Sequence, residues 1–240
     1  RIIPPFYESL RTSIDEVFPD FAADVRIPVM LRFGSWVGGD MDGNPNVSAT
    51  TIRSTLRRHR AQILALYTRE LREIGHVLSQ SPYRIPISDA VNERIDDYMA
   101  LFPEVHERIP PRHRLMPYRV LTPLIAARLD ATAADADGGY DNAGEFIADL
   151  ETIADSLIEN RGRHAGLFPV QRLIWRARTF GFHLATLDVR QDSLVHRQAV
   201  GRGLGVPDWL ELDPATRTAA ITEALADGRP PAAGLERQDP

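Results

Sequence analysis

The sequence predicts a mainly α-helical fold with a few short strands. Apolar residues recur at three- to four-residue spacing through most of the 240-residue chain. Only two short segments, near 28–33 and 184–190, carry the compact apolar character of strands. Each of them runs into a polar loop, which fits an elaborated α/β barrel as well as a mainly helical domain.

Taken in order, residues 5–18 place Phe6, Leu10, Ile14 and Val17 on one helical face. Ile27 to Phe33 reads as a strand entering a glycine-rich loop, Gly34 to Asn46. Ser48 caps a helix that keeps its period through Ile52, Leu56, His59, Ile63, Leu66, Tyr67, Ile74 and Leu78. It runs to about residue 80, a rod of roughly 45 Å at 1.5 Å per residue. Ser81-Pro82 ends it. Ser88 caps a helix over 89–101 with Val91, Ile95 and Met99 inward, and Pro103, Pro110, Pro111 and Pro117 punctuate the chain beyond it. A helix over 118–129 turns Tyr118, Leu121, Leu124, Ile125 and Leu129 to the core, and 130–141 is a small, acidic loop. Asn142-Ala143-Gly144-Glu145 is a capping box for a helix over 143–159, whose apolar face is Phe146, Ile147, Leu150, Ile153, Leu157 and Ile158. Arg161-Gly162-Arg163-His164 reads as an exposed helix exit. Helix 167–180 stops at Gly181, strand 182–190 follows, and two further helices cover 191–204 and the stretch from Asp213-Pro214 to Gly228.

Composition narrows the function. Hydrophobic residues at 43% and charged residues at 25% suit a soluble globular protein. A formal charge of -5 and a pI near 5.8 argue against nucleic-acid and anionic-membrane partners, which need a basic face. The arginines of the long helix alternate with Glu70 and Glu73, as on a solvated surface. Without cysteine there is no disulfide or thiolate-bound metal, in keeping with a cytoplasmic location. No apolar run approaches the ~18 residues of a membrane span. Arg1 to Pro5 lacks an initiator Met and a signal-like apolar region, and Leu235 to Pro240 lacks a cap; both ends read as cuts in a longer protein, with 1–240 a single stretch of one domain.

Two segments carry candidate chemistry. In Phe33-Gly34-Ser35-Trp36-Val37-Gly38-Gly39-Asp40-Met41-Asp42-Gly43-Asn44-Pro45-Asn46, four glycines within ten residues allow close backbone approach, and two aspartates flank Met41. A packed turn with Asx bonds and a site-forming loop are both consistent with this pattern. A calcium loop is not: counted from Asp40, its sixth position is Pro45 and its twelfth Thr51, where glycine and glutamate are required. In Thr186-Leu187-Asp188-Val189-Arg190-Gln191-Asp192-Ser193, strand alternation puts Asp188 and Arg190 on one face. Arg190 could offer its fork of donors to a phosphate with Asp188 orienting it, or the two could form a structural ion pair. The histidines show no metal-ligand spacing.

These segments resemble phosphoenolpyruvate carboxylase of the bacterial and plant type. That family carries a stretch like FGSWMGGDRDGNPNVT, and this chain reads FGSWVGGDMDGNPNVS over 33–48. Thr179-Phe180-Gly181-Phe182 followed by Leu187 to Ser193 resembles the family's TFGL…LDIRQES, and Pro117-Tyr118-Arg119 its EPYR. Pro207-Asp208-Trp209-Leu210 and Gly228-Arg229-Pro230 fall in a familiar order. The resemblance implies the helix-rich part of a TIM-like barrel in a homotetrameric, allosteric enzyme that joins bicarbonate to phosphoenolpyruvate with Mg²⁺ or Mn²⁺, giving oxaloacetate and phosphate. It assigns Arg190 to the substrate phosphate and Trp36, Gly38, Gly39, Asp40, Asp42, Gly43 and Asn44 to a loop bordering the active site. Met41 departs from the family's arginine. The family's TAHPT-like segment, its glycine-arginine-glycine-glycine loop and its acidic metal ligands are absent, so no metal ligand is expected within 1–240 and the isolated chain is expected to be inactive. The other reading is a helical binding or scaffolding domain of the same fold without catalysis.

Overall fold

Helices dominate residues 2–20 and 25–228, which the computed structural model describes. In chain order the elements are α1 (Ile3–Val17), β1 (Gly34–Ser35), α2 (Ala49–Val77), α3 (Asp89–Leu101), α4 (Pro103–Glu107), a 3₁₀ turn (Pro111–His113), α5 (Pro117–Ala133), α6 (Ala143–Glu159), a π turn (Arg163–Leu167), α7 (Phe168–Phe180), β2 (Thr186–Leu187), α8 (Ser193–Leu204) and α9 (Pro214–Ala226). The chain divides into two units, residues 1–33 with 58–186 and residues 34–57 with 187–240. Arg1, Arg229, Pro230 and Leu235 to Pro240, named above from the sequence, lie outside the described residues.

The first unit is a helical assembly around one apolar core. α6 shows why: Asn142 is extended and accepts the Glu145 N–H at 3.2 Å, the N-cap half of the predicted box, while its side-chain Nδ2 donates to Glu145 Oε1 at 3.4 Å. Behind it, Phe146, Leu150, Ile153 and Leu157 are buried at helical spacing. Facing them are Tyr67 and Leu71 of the second helix and Leu78 just after it, Val91 and Tyr98 of α3, Leu121, Leu124 and Leu129 of α5, and Val170 and Leu173 of α7. Each such side chain contributes about 1.5–3 kcal/mol on burial. Gly75 lets α2 meet α5 closely, since a Cβ there would lie 2.5 Å from Thr122 Oγ1.

One buried cluster in this core is polar. Asp149, 1% exposed, accepts from Tyr98 Oη at 2.7 Å and Tyr140 Oη at 2.6 Å and pairs with Arg94 Nε at 3.2 Å. Arg128 lies over the Tyr140 ring, 3.9 Å from its centroid, and donates to Tyr98 Oη at 2.6 Å. Burial pushes the Asp149 carboxyl up from its ordinary value, and the tyrosine hydrogen bonds and both arginines oppose that push.

Several expectations change here. Residues 28–33 form no strand; a strand needs a partner at hydrogen-bonding distance, and the neighbouring chain first reaches this segment at Phe33, whose carbonyl accepts the Thr186 N–H at 2.8 Å. The strand expected over 182–190 likewise contracts to β2 and one bridge at Arg190. α1 buries Ile3 and Tyr7, whereas Phe6 and Val17 are exposed. Tyr7 stacks on Trp175 at 4.1 Å, which selects that face. Ser88 precedes α3 without capping it, because its hydroxyl donates to Glu159 at 2.9 Å. α2 ends at Val77, ahead of Ser81-Pro82, and α5 continues to Ala133. After α6, Arg161 takes φ +59° and the chain enters the π turn.

The second unit holds the glycine-rich loop, the start of α2, α8 and α9. Ser48 Oγ accepts the Thr51 N–H at 3.4 Å and Thr51 Oγ1 accepts the Ser48 N–H at 3.2 Å, a reciprocal cap for α2. Asp192 caps α8 through Leu194 N–H at 2.7 Å, and Asp213 caps α9 through Ala215 and Thr216 N–H. Trp209 is buried against α8 at Gly201, where a Cβ would lie 2.5 Å from the tryptophan Cβ.

Candidate active site

The loop predicted around Trp36 is built on a parallel ladder with an insertion. Asp188 N–H donates to Ser35 O at 2.8 Å. In a regular ladder, Arg190 N–H would next meet the carbonyl of residue 37. It meets Gly39 O instead, at 2.8 Å, and Met41 N–H returns a bond to Arg190 O at 2.9 Å. The surplus residues leave the ladder as a turn closed by Gly39 N–H to Trp36 O at 2.9 Å, with Gly38 at φ +86°. That φ at the third position of a turn is the type II requirement for glycine. Gly39 is needed for room: a Cβ there would lie 2.4 Å from Asp188 O. At Gly43 a Cβ would meet Asp40 Oδ2 at 2.5 Å.

The turn projects Trp36, 53% exposed, so that its ring lies under Arg190, with the guanidinium carbon 4.4 Å from the centroid. Among the described residues, none of the Arg190 guanidinium N–H groups is taken up by a carbonyl or carboxylate, and no ion pair joins Arg190 to Asp188. The side chain under the guanidinium is therefore Trp36, where the sequence had suggested Asp188. Asp188 and Arg190 both turn their N–H to the neighbouring segment, so the period of two holds along 188–190 and the insertion lies on the opposite strand; a shared face did not by itself produce an ion pair. Asp188 contributes through its backbone, donating to Ser35 and crowding Gly39.

Beyond the turn, Asp40 and Asp42 share a hydrogen bond. That bond, partial burial and the charge of Asp42 raise the Asp40 carboxyl above its ordinary value, while Arg190 draws it back. Asn44 Oδ1 accepts the Asn46 N–H at 3.0 Å, the expected Asx turn. Met41 Sδ accepts from Gln191 Nε2 at 3.8 Å. Among the described residues no group of three or more histidine or acidic side chains is placed to hold a metal ion, and the Asp40–Asp42 pair does not by itself make such a set.

The sequence profile of phosphoenolpyruvate carboxylase matches residues 1–235. The chain belongs to the phosphoenolpyruvate carboxylase family. It is 49% identical to the phosphoenolpyruvate carboxylase of Xanthomonas oryzae pv. oryzae over 229 residues, 95% of this chain and 25% of the relative. It is 37% identical to that of Rhodopseudomonas palustris strain BisB5 over 226 residues, 87% of this chain and 23% of the relative. It is 30% identical to that of Roseiflexus castenholzii over 247 residues, 95% of this chain and 26% of the relative. The chain thus spans about a quarter of the length of these phosphoenolpyruvate carboxylases. The geometry adds what the motif spelling did not carry. Trp36 as the platform for Arg190, and Gly39 as the point of main-chain contact with Asp188, both depend on which two segments pair.

Proposed function

We propose that this chain is part of an enzyme that carboxylates phosphoenolpyruvate with bicarbonate, and that Arg190 binds the substrate phosphate. The observation that carries the reading is the Arg190 fork, fixed by two main-chain bonds and an aromatic face while its donors remain uncommitted. In the reaction, a bicarbonate oxygen attacks phosphorus and the bond to the enol oxygen breaks, leaving carboxyphosphate and the pyruvate enolate. Carboxyphosphate then releases carbon dioxide and phosphate, and C3 of the enolate forms the new carbon–carbon bond, giving oxaloacetate. Arg190 would donate to the phosphoryl oxygens and stabilise charge as it develops there. The glycine turn would hold Trp36 and Arg190 in place at the edge of the site.

Around this reading we place the chain in the helix-rich part of a TIM-like barrel of a cytoplasmic, homotetrameric, allosteric enzyme. Mg²⁺ or Mn²⁺ would be held by residues outside 1–240. No helix among the described residues is long and apolar enough to cross a membrane. A non-catalytic scaffold of the same fold draws on Met41, an apolar residue where the family resemblance expects arginine.

The test is kinetic, on the full-length protein. Arg190→Ala should lower kcat/KM for phosphoenolpyruvate by about ten- to a hundred-fold, the loss of a charge-assisted hydrogen bond of roughly 1.5–3 kcal/mol. Arg190→Lys should recover part of it, keeping charge without the planar fork. Unchanged kinetics in both variants would remove the phosphate role, and an inactive wild-type protein would favour the scaffold.

A further inference from the structure

The glycine turn is gripped from two sides. On one side is main chain: the position a Cβ would take at Gly39 lies 2.4 Å from Asp188 O. On the other is a single side chain of the second helix. A Cβ at Gly38 would lie 2.2 Å from Thr55 Oγ1, 3.1 Å from Thr55 Cβ and 3.2 Å from Thr55 Cγ2. All three side-chain atoms of Thr55 therefore crowd the space that the glycine leaves open.

Thr55 suits the task of a stop. It sits within the first two turns of α2, close to the reciprocal Ser48–Thr51 cap that fixes the start of that helix. Its branch at Cβ restricts χ1, so the side chain cannot swing aside as a linear one would. From Gly38 the path to Arg190 is short and made of bonds. Gly39 follows directly, its N–H closes the turn on Trp36 O, and its carbonyl accepts the Arg190 N–H. The Trp36 ring at the start of the same turn lies under the guanidinium.

We infer that Thr55 is a positioning residue: by seating Gly38 it sets where the Trp36 ring stands beneath Arg190. The inference concerns the placement of Trp36 and Arg190. Its kinetic consequence rests on the proposed phosphate role of Arg190. Thr55→Ala would remove the two atoms that branch from Cβ and leave the turn free to settle toward α2. Alanine is a better helix former than threonine, so α2 itself should not suffer. Thr55→Val keeps the branched shape and should keep the seat.

The test follows phenylglyoxal modification of Arg190 by peptide mass spectrometry in the full-length protein, alongside kcat/KM for phosphoenolpyruvate. Thr55→Ala should raise the modification rate of Arg190 about two- to five-fold as the ring moves from under it, with Thr55→Val restoring the slow rate. Ser54→Ala, an exposed neighbour on α2, is the control. Thr55→Ala should also lower kcat/KM, by no more than the about two- to five-fold that the Arg190–Trp36 contact itself is worth. In a Trp36→Ala background the same change at Thr55 should no longer alter the modification rate, since the ring it places is gone. An Arg190 rate unmoved by Thr55→Ala would overturn the inference, as would an equal increase with Trp36 absent. A faster Arg190 reaction with kcat/KM unmoved in both Thr55→Ala and Arg190→Ala would uphold the placement and remove the phosphate role instead.

Discussion

Each unit holds itself together by its own chemistry. In the first, side chains do the holding: apolar residues from five helices interlock, and even its buried charge, Asp149, is secured by the side chains of Tyr98, Tyr140 and Arg94. In the second, main chain does most of it. The ladder between 35 and 41 and 188 and 190 is made of backbone bonds, and its closest contacts are at glycines. Trp36, Val189, Leu194, Val195, Leu210 and Leu225 are exposed there. A side-chain core tolerates volume-conserving change, whereas a backbone contact at a glycine tolerates no side chain.

The largest effect expected from this contrast is on stability, at Asp149. Asp149→Ala would leave two buried tyrosine hydroxyls without their acceptor and Arg94 without its ion-pair partner, at a cost of about 3–5 kcal/mol. Thermal denaturation should show a fall of roughly 10 °C. In full-length protein, kcat/KM below the midpoint should change little. A shift of only a degree or two would mean the network contributes nothing to folding.

Next comes Gly39→Ala. Its Cβ would be forced against Asp188 O, displacing the strand that places Arg190. A displacement of about 1 Å at a catalytic group can cost a hundred-fold in kcat/KM, and that loss is expected here. Gly205→Ala is the control: it has φ +69° but nothing within 4 Å, so it should cost about 1–2 kcal/mol of stability and leave turnover alone. Equal kinetics for the two variants would erase the distinction between backbone contact and backbone conformation.

A smaller effect belongs to Trp36. An exposed cation–π contact is worth about 0.5–1 kcal/mol, so Trp36→Ala should raise KM for phosphoenolpyruvate about two- to five-fold, with Trp36→Phe recovering most of it. Phenylalanine performing no better than alanine would show that the ring is not the platform.

The smallest effect is at the α9 cap. Hydrogen bonds from the Thr216 hydroxyl and N–H hold the Asp213 carboxyl below its ordinary value. A depressed folded-state pKa gives stability that is present above the unfolded value, near 3.9, and lost as pH falls through the folded one. Helicity of α9 by circular dichroism should therefore decline at the acid end, and Asp213→Asn, which keeps an acceptor, should remove that dependence. An unaltered acid profile in the asparagine variant would assign the decline to other carboxyls.

The same contrast decides what could be read in advance. α6 was legible to both of its ends because helix period and cap are local: Asn142, Glu145 and the apolar stripe are neighbours in sequence. The motif over 33–48 was legible as spelling. Its geometry was not, because the Trp36–Gly39 turn exists only relative to Asp188 and Arg190, about 150 residues away. Among the described residues, 28–33 have strand composition but meet no neighbouring strand before Phe33, a distinction composition cannot make. Asp149 did leave a signal. It falls three residues after Phe146 and four before Ile153, on the buried stripe, where an acid must find partners.

Arg190 owes its position to its own N–H and C=O, bonded to Gly39 and Met41, and its side chain adds nothing to that anchorage. Removing the side chain would therefore vacate a place without moving the walls. What remains in Arg190→Ala is the exposed face of Trp36. Free guanidinium ion has the planarity, charge and donor pattern of the missing group, and can enter such a vacancy from solution. Millimolar guanidinium should thus restore part of the lost turnover in the alanine variant, while ammonium, which is neither planar nor forked, should not. The residue behaves as a socket with a replaceable cation, a property that follows from anchoring its backbone independently of its side chain.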